Sequence, residues 1–333
     1  MIAAFEKIRS QAWQAGRRVL RSGARHAPAR GATLDAPLLS GDDIAQLAIQ
    51  AAGLAQAPAK REVHDHHAGD WPSAWLGRGL DFEEARPYTP GDDIRDMDWR
   101  ITARLGQPFV KIYREERQPV LHLVVDRGPA MRFGTRRHLK AAQAARIAAL
   151  AAFAASARNV AVGASLWDAD DVSLPPRHGR SGVIELVRAA AAPCPPLPAQ
   201  AAEALREGDR LQRLAEELPR GARLLLVSDF AWLGAEHELP LAHLAERTDL
   251  LALRISDPAE RELPDVGLAR FQDLNSGTIR WLDTGSAAAR KAHAAEFARR
   301  RAQADALFGR AGVRCLDIGS EAEDLVQILQ GHA

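Results

Sequence analysis

The chain has 333 residues, 44 basic against 43 acidic side chains, and 47% apolar residues. That length suits one large domain or two ordinary ones, and the composition is that of a globular protein, which excludes global disorder. Balanced charge excludes a general nucleic-acid binder, and two solitary cysteines, Cys194 and Cys315, with no Cys/His ligand spacing exclude a disulfide scaffold or a zinc module.

Residues 1–30 hold seven Lys/Arg against Glu6 alone, with Ile8, Trp13 and Leu20 on a helical stripe. The stripe fits a solvated or partner-docked helix, with a membrane-surface helix as the alternative. Charges interrupt any signal-peptide core, and no stretch reaches about 18 uncharged apolar residues, so a reducing, cytoplasmic setting is expected. Gly23, Pro28, Gly31 and Pro37 mark a linker, which makes 1–39 a basic helix plus linker. Ser40-Gly41-Asp42-Asp43 then supplies helix-starting chemistry for the apolar stretch Ile44 to Leu54. Residues 75–117 carry 8 basic and 9 acidic side chains interleaved with Phe82, Tyr88, Trp99, Phe109 and Tyr113. This pattern predicts an ordered, ion-paired segment, and residues 40–118 form a second unit.

Beyond Pro119 the pattern becomes regular. Strand-like runs at Val120–Val125, Val160–Trp167, Leu224–Val227, Leu250–Ile255 and Val313–Ile318 alternate with helix-like stretches at Leu139–Ala157, Val183–Ala192, Ala201–Leu218, Leu239–Glu246, Ser286–Phe308 and Glu321–Leu329. Near-continuous apolar strands between helices indicate a mostly parallel sheet covered on both faces. The expected fold is α/β, a doubly wound, mostly parallel sheet over 119–331 with a smaller N-terminal mixed segment. Ligands on such sheets sit beyond the carboxyl ends of the strands, where two strands close on Asp126 and Asp229.

Enzyme signatures are missing. There is no phosphate loop and no nucleophile elbow, and Gly77-Arg78-Gly79 lacks the third glycine of a dinucleotide turn. His237-Glu238 begins a metalloprotease motif that Pro240 and Leu241 break. His64-Asp65-His66-His67 reads as a solvated loop, with a metal site as the alternative.

The densest block runs from Gly79 to Arg104: GLDFEEARPYTPGDDIRDMDWRITAR. It resembles the hallmark of the domain-of-unknown-function 58 family, and with Asp257-Pro258-Ala259-Glu260 and the long C-terminal helix the likeness covers roughly 40–330. The resemblance implies a von Willebrand factor A-like domain behind a small family-specific segment. It also implies a partner: genes of this family typically neighbour a MoxR-type AAA+ ATPase, which suggests a non-enzymatic interaction module that helps assemble or mature another protein.

In the block itself, Pro90-Gly91 predicts a turn, Asp92 or Asp93 a helix cap, and Arg95 lies within helical ion-pair reach of Asp92 and Asp98. Trp99 is expected to anchor the segment on the core. Arg86, Tyr88, Gly91, Asp92, Arg95, Asp98, Trp99 and Arg104 form either a structural clamp or a recognition surface.

Von Willebrand A domains often hold Mg²⁺ through Asp-x-Ser-x-Ser, a threonine and a later Asp. The matching positions here are Asp126, Gly128, Ala130 and Asp229, and 175–182 offers only Ser181 in place of the threonine. Mg²⁺ needs six well-placed oxygens, and two hydroxyls are lost, so no cofactor is expected. Metal-dependent adhesion is the alternative reading, and a hydrolase using the Asp126/Asp229 edge is a third. Asp126 and Asp229 would then cap helices or pair with Arg127 or Arg132.

Overall fold

The computed structural model describes residues 36–56, 84–89, 94, 97–112, 120–168, 170–194, 207–272 and 278–331. The basic stripe at 1–30, the His64–His67 cluster, Gly91, Asp92 and Arg95 lie outside them.

Helix α1 (Gly41–Gln56) starts where the sequence signals it. The Asp43 carboxylate accepts from the Ser40 backbone N–H at 2.9 Å, and the Ser40 hydroxyl oxygen accepts from the Asp43 N–H at 3.1 Å, a reciprocal cap. Strand β1 (Glu84–Pro87) pairs antiparallel with β2 (Phe109–Ile112), and helix α2 (Trp99–Leu105) lies between them in sequence. Its cap is Asp98, which accepts from the Arg100 and Ile101 N–H groups, and the capping expected of Asp92 or Asp93 falls outside the described residues. Trp99 is a correction: it is 65% exposed and anchors nothing on the core, because it occupies the first helical position, on the side turned to water.

The main body follows in alternation. It runs β3 (Val120–Asp126), α3 (Lys140–Ala157), β4 (Ala161–Trp167), β5 (Val172–Arg177), α4 (Gly179–Ala191), α5 (Glu207–Glu217), β6 (Arg223–Ser228) and α6 (Glu238–Arg247). Then come β7 (Asp249–Ser256), the short α7 (Pro258–Arg261), the hairpin β8 (Leu268–Gln272) and β9 (Ile279–Asp283), α8 (Ala287–Arg310), β10 (Arg314–Gly319) and α9 (Leu325–Gly331).

Six strands form one sheet in the order β10-β7-β6-β3-β4-β5. All pairings are parallel except β4 with β5. The antiparallel β5 is an edge strand and carries Pro175 and Pro176, which lack the N–H that further pairing would need. Strand alternation splits the core between the two faces. Leu121, Leu123 and Val125 of β3 face a cluster containing α3 and α4, whereas Val124 faces one containing α5, α6 and α8. The sheet is therefore doubly wound, as its sequence pattern required. Leu39 and the α1 residues Leu47, Ala51 and Leu54 belong to the α3 side of that core, so α1 packs as an outer layer of the α/β body.

The chain progresses outward from β3 in one direction and from β6 in the other. These two neighbours are thus the point where strand order reverses, the place at which such sheets open a crevice at their carboxyl ends.

Candidate functional site

At that crevice Asp126 ends β3 and Ser228-Asp229 ends β6. The Ser228 hydroxyl donates to Asp126 Oδ2 at 2.5 Å, and the Gly128 N–H donates to Asp126 Oδ1 at 2.8 Å. Ser228 Oγ in turn accepts from the Phe230 N–H and the Trp232 indole N–H. Burial, followed by repulsion from Asp229, pushes the Asp126 carboxyl up to about 6.

Asp229 is brought beside Asp126, as the sequence placed it, but its partner is Lys140. The ammonium sits 2.7 Å from Asp229 Oδ2 and 2.6 Å from Glu260 Oε1, on a side chain only 1% exposed. Burial presses this amine down, but the attraction and hydrogen bonds of Asp229 and Glu260 outweigh it and the net shift is upward. The other Asp229 oxygen accepts from the Ala231 N–H. Between them Phe230 takes a positive φ of 55°, a costly conformation for a bulky residue, and buries its ring edge-on to Phe308 at 4.9 Å.

The guanidiniums sit elsewhere than expected. Arg127 and Arg132 pair with Asp168, which follows β4, and not with Asp126 or Asp229. Arg127 also donates to the Ala189, Ala192 and Pro193 carbonyls and so closes the C-terminal end of α4. Arg210 reaches from α5 to Asp171 and the Asp168 carbonyl, and lies 5.5 Å over the Trp167 ring. A fourth strand-end carboxylate, Asp257 after β7, accepts from Thr135, Ala259 and Ser320. Desolvation opposes its charge, yet these donors hold its carboxyl below the usual range.

Asp168 and Asp257 were missed in the sequence although they obey the same rule that singled out Asp126 and Asp229, a carboxylate directly after an apolar strand. Lys140 also left a signal. A lysine at the first position of a helix opposes the macrodipole and needs a compensating anion.

A six-oxygen cation does not fit these residues. The oxygens of Asp126 and Asp229 already accept protein donors, Gly128 and Ala130 bring no side-chain oxygen, and the Lys140 ammonium supplies positive charge between Asp229 and Glu260. A Cβ on Gly128 would lie 3.1 Å from Asp126 Oδ1. Ser181 is exposed in the first turn of α4. His237 sits in a short 3-10 turn, where its Nδ1 accepts from the Gly234 N–H and its ring packs on Trp232. The Cys315 thiol is pushed up to about 12, chiefly by burial.

Of the other block residues, Arg86 donates to the Pro87 carbonyl and the Thr89 hydroxyl, and the Tyr88 N–H donates to the Pro108 carbonyl. Arg104 is exposed in the last turn of α2, where its charge complements the helix end. Both the clamp and the recognition readings remain compatible with these contacts.

The fold and crevice define a doubly wound α/β protein whose strand ends are closed by internal hydrogen bonds and ion pairs. Residues 84–303 match the family described as Protein of unknown function DUF58, and the chain belongs to that family. It is 34% identical over 227 residues to the uncharacterized protein Rv1480 of Mycobacterium tuberculosis and, equally, to Mb1516 of Mycobacterium bovis, covering 66% of this chain and 67% of each relative. Among solved structures it is similar to the conserved hypothetical protein BatB of Bacteroides thetaiotaomicron (TM-score 0.43, 12% identity, 64% of this chain and 96% of that one). A second similar structure is an aerotolerance-related membrane protein of Bacteroides fragilis (TM-score 0.38, 14% identity, 60% and 91%). No helix among the described residues is long and apolar enough to cross a membrane.

Proposed function

We propose that this chain is a non-enzymatic protein-interaction module built on a von Willebrand factor A-like domain, and that its partner is a MoxR-type AAA+ ATPase acting in the assembly or maturation of other proteins. One observation carries the non-enzymatic part. Each strand-end carboxylate, at Asp126, Asp168, Asp229 and Asp257, is engaged by protein donors within the crevice. A general base or nucleophile must be within reach of substrate, and a divalent cation needs open oxygens. Here neither demand is met, because these carboxylates are already committed to protein donors. Lys140 takes over the charge balance that a bound cation would supply, so the module works without metal.

The ATPase partnership is supported by family membership and by the gene neighbourhood the family resemblance implies. It is tested by mixing the purified chain with a MoxR-type AAA+ ATPase from the same organism, with and without nucleotide, and measuring complex formation by light scattering. A nucleotide-dependent complex is expected. Two non-interacting species under both conditions would remove the ATPase from the proposal.

A further inference from the structure

The crossover from β7 to β10 carries an insertion, the β8–β9 hairpin, ahead of the long helix α8. Its base is rigid. Thr284 is fully buried, its hydroxyl donates to the Gly267 carbonyl at 2.7 Å and accepts from the Val266 N–H at 2.9 Å, and Arg290 donates to the Thr284 carbonyl at 2.6 Å. Gly267, at φ 72°, makes the turn into β8.

Residues opposite each other in an antiparallel pair share a face. The register pairs Leu268 with Asp283, Arg270 with Trp281 and Gln272 with Ile279. Leu268, Ile279 and Trp281 therefore lie on one side, all largely exposed, and Trp281 is 63% exposed. Val266 extends the patch at the hairpin's base, also exposed. Ala269, Phe271 and Leu282, on the opposite side, are half-buried. In α8, the buried residues are Ala304, Leu307 and Phe308, so hairpin and first half of the helix form an arm with little of its surface covered.

The arm has spare positive charge. Residues 264–303 contain seven basic and four acidic side chains. Asp265 is taken by Arg290, Glu296 by Arg299 and Arg300, and Asp283 accepts from the Gly285 N–H. Arg270, Arg280 and Lys291 have no side-chain partner among the described residues. As a two-stranded sheet the hairpin also leaves one edge of each strand open, with backbone N–H and C=O groups that an extended peptide can match.

We propose that this hairpin face docks an acidic, apolar-bearing extended segment of a partner protein, added to β8 or β9 as a third strand over Trp281, Ile279 and Leu268. Residues 1–30 of this chain are strongly basic and repelled by the arm, and a second copy would set like charge on like charge. A lipid surface would leave the strand edges unpaired. The proposal deepens the interaction-module reading and rests on it.

The test uses the full chain and a fluorescein-labelled peptide of alternating aspartate and valine, followed by fluorescence polarisation. Controls are the lysine–valine counterpart and phosphatidylserine vesicles. Saturable binding of the acidic peptide is expected, weakened at least about tenfold, or 1.4 kcal/mol, in Trp281→Ser/Arg270→Glu. An unchanged thermal melt shows that this exposed double variant is folded. Equal binding by the variant, no peptide binding at all, or binding to vesicles but not to peptide would each overturn the docking surface. A natural partner captured equally by wild type and variant would sink the surface alone, whereas a wild-type chain that captures none would sink the interaction reading beneath it.

Discussion

The Lys140 ammonium and the Asp229 carboxylate lie 2.7 Å apart at the start of α3, out of water. Two costs meet there, because the lysine opposes the helix dipole and is desolvated. Both are offset only while Asp229 and Glu260 remain charged. Lys140→Met therefore leaves a buried carboxylate uncompensated and is expected to lower stability by about 3–5 kcal/mol in urea denaturation. Adding Asp229→Asn should recover part of that loss. A single variant as stable as wild type would show that the pair contributes nothing.

The pH dependence of stability contains two opposed contributions. Asp126 is raised from 3.8 to about 6, so the folded protein binds its proton more tightly and this contribution falls as pH rises from about 4 to 6. His122, buried on β3 with its Nε2 2.9 Å from Ser165 Oγ, is lowered by burial from 6.5 to about 4. It stays neutral when folded, so its contribution is complete above 6.5 and is lost as pH falls toward 4. Asp126→Asn removes the first slope, at the cost of an acceptor for either Ser228 or Gly128. It should make the loss of stability below pH 6 steeper than in wild type. Thermal melts from pH 4 to 8 check this, and parallel profiles would contradict it.

Arg127 replaces a terminal cap on α4 with three charge-assisted hydrogen bonds to Ala189, Ala192 and Pro193. Arg127→Met retains the stem and removes the donors, leaving these carbonyls and part of Asp168 unpaired. A loss of about 2–4 kcal/mol is expected. Amide exchange should rise at the end of α4 before it rises in β3, and uniform exchange across both would reject the capping role.

Restoring the two hydroxyls by Gly128→Ser and Ala130→Ser is expected to give no Mg²⁺ heat in calorimetry while Lys140 remains. Adding Lys140→Ala to that pair should produce binding, since it frees an oxygen of Asp229 and removes a neighbouring positive charge. Mg²⁺ binding by the double variant would mean that the ammonium is no obstacle.

The helices and strands of the sheet were legible because apolar runs of strand length alternate with longer periodic ones between Val120 and Leu329. The hairpin was not. Its outward residues, Leu268, Ile279 and Trp281, are as apolar as core residues, and a periodicity argument has no way to assign them to a surface. The two strands that meet at the crevice announced Asp126 and Asp229 by position alone. Their partners lie far along the chain, Lys140 being 89 positions from Asp229 and Ser228 102 positions from Asp126, and local spacing carries no information at that range. Trp99 failed for the opposite reason: a lone tryptophan among charges looked like an anchor, and the turn of α2 carried it outward.

Helix α1 emerges early in synthesis, yet the apolar face bearing Leu47, Ala51 and Leu54 has its partners in α3, about a hundred residues later, and in the C-terminal α9. Leu38 is tied by its N–H to the Ala191 carbonyl at 2.7 Å, and Arg158 reaches the Leu54 carbonyl. This helix is thus among the last elements that can dock. Until then α3, alanine along nearly all of its length, has its outer side open to solvent. The interior is completed only when residues 38–56 fold back over it, a long-range closure that makes for slow folding and gives this segment the part of a latch on a finished sheet.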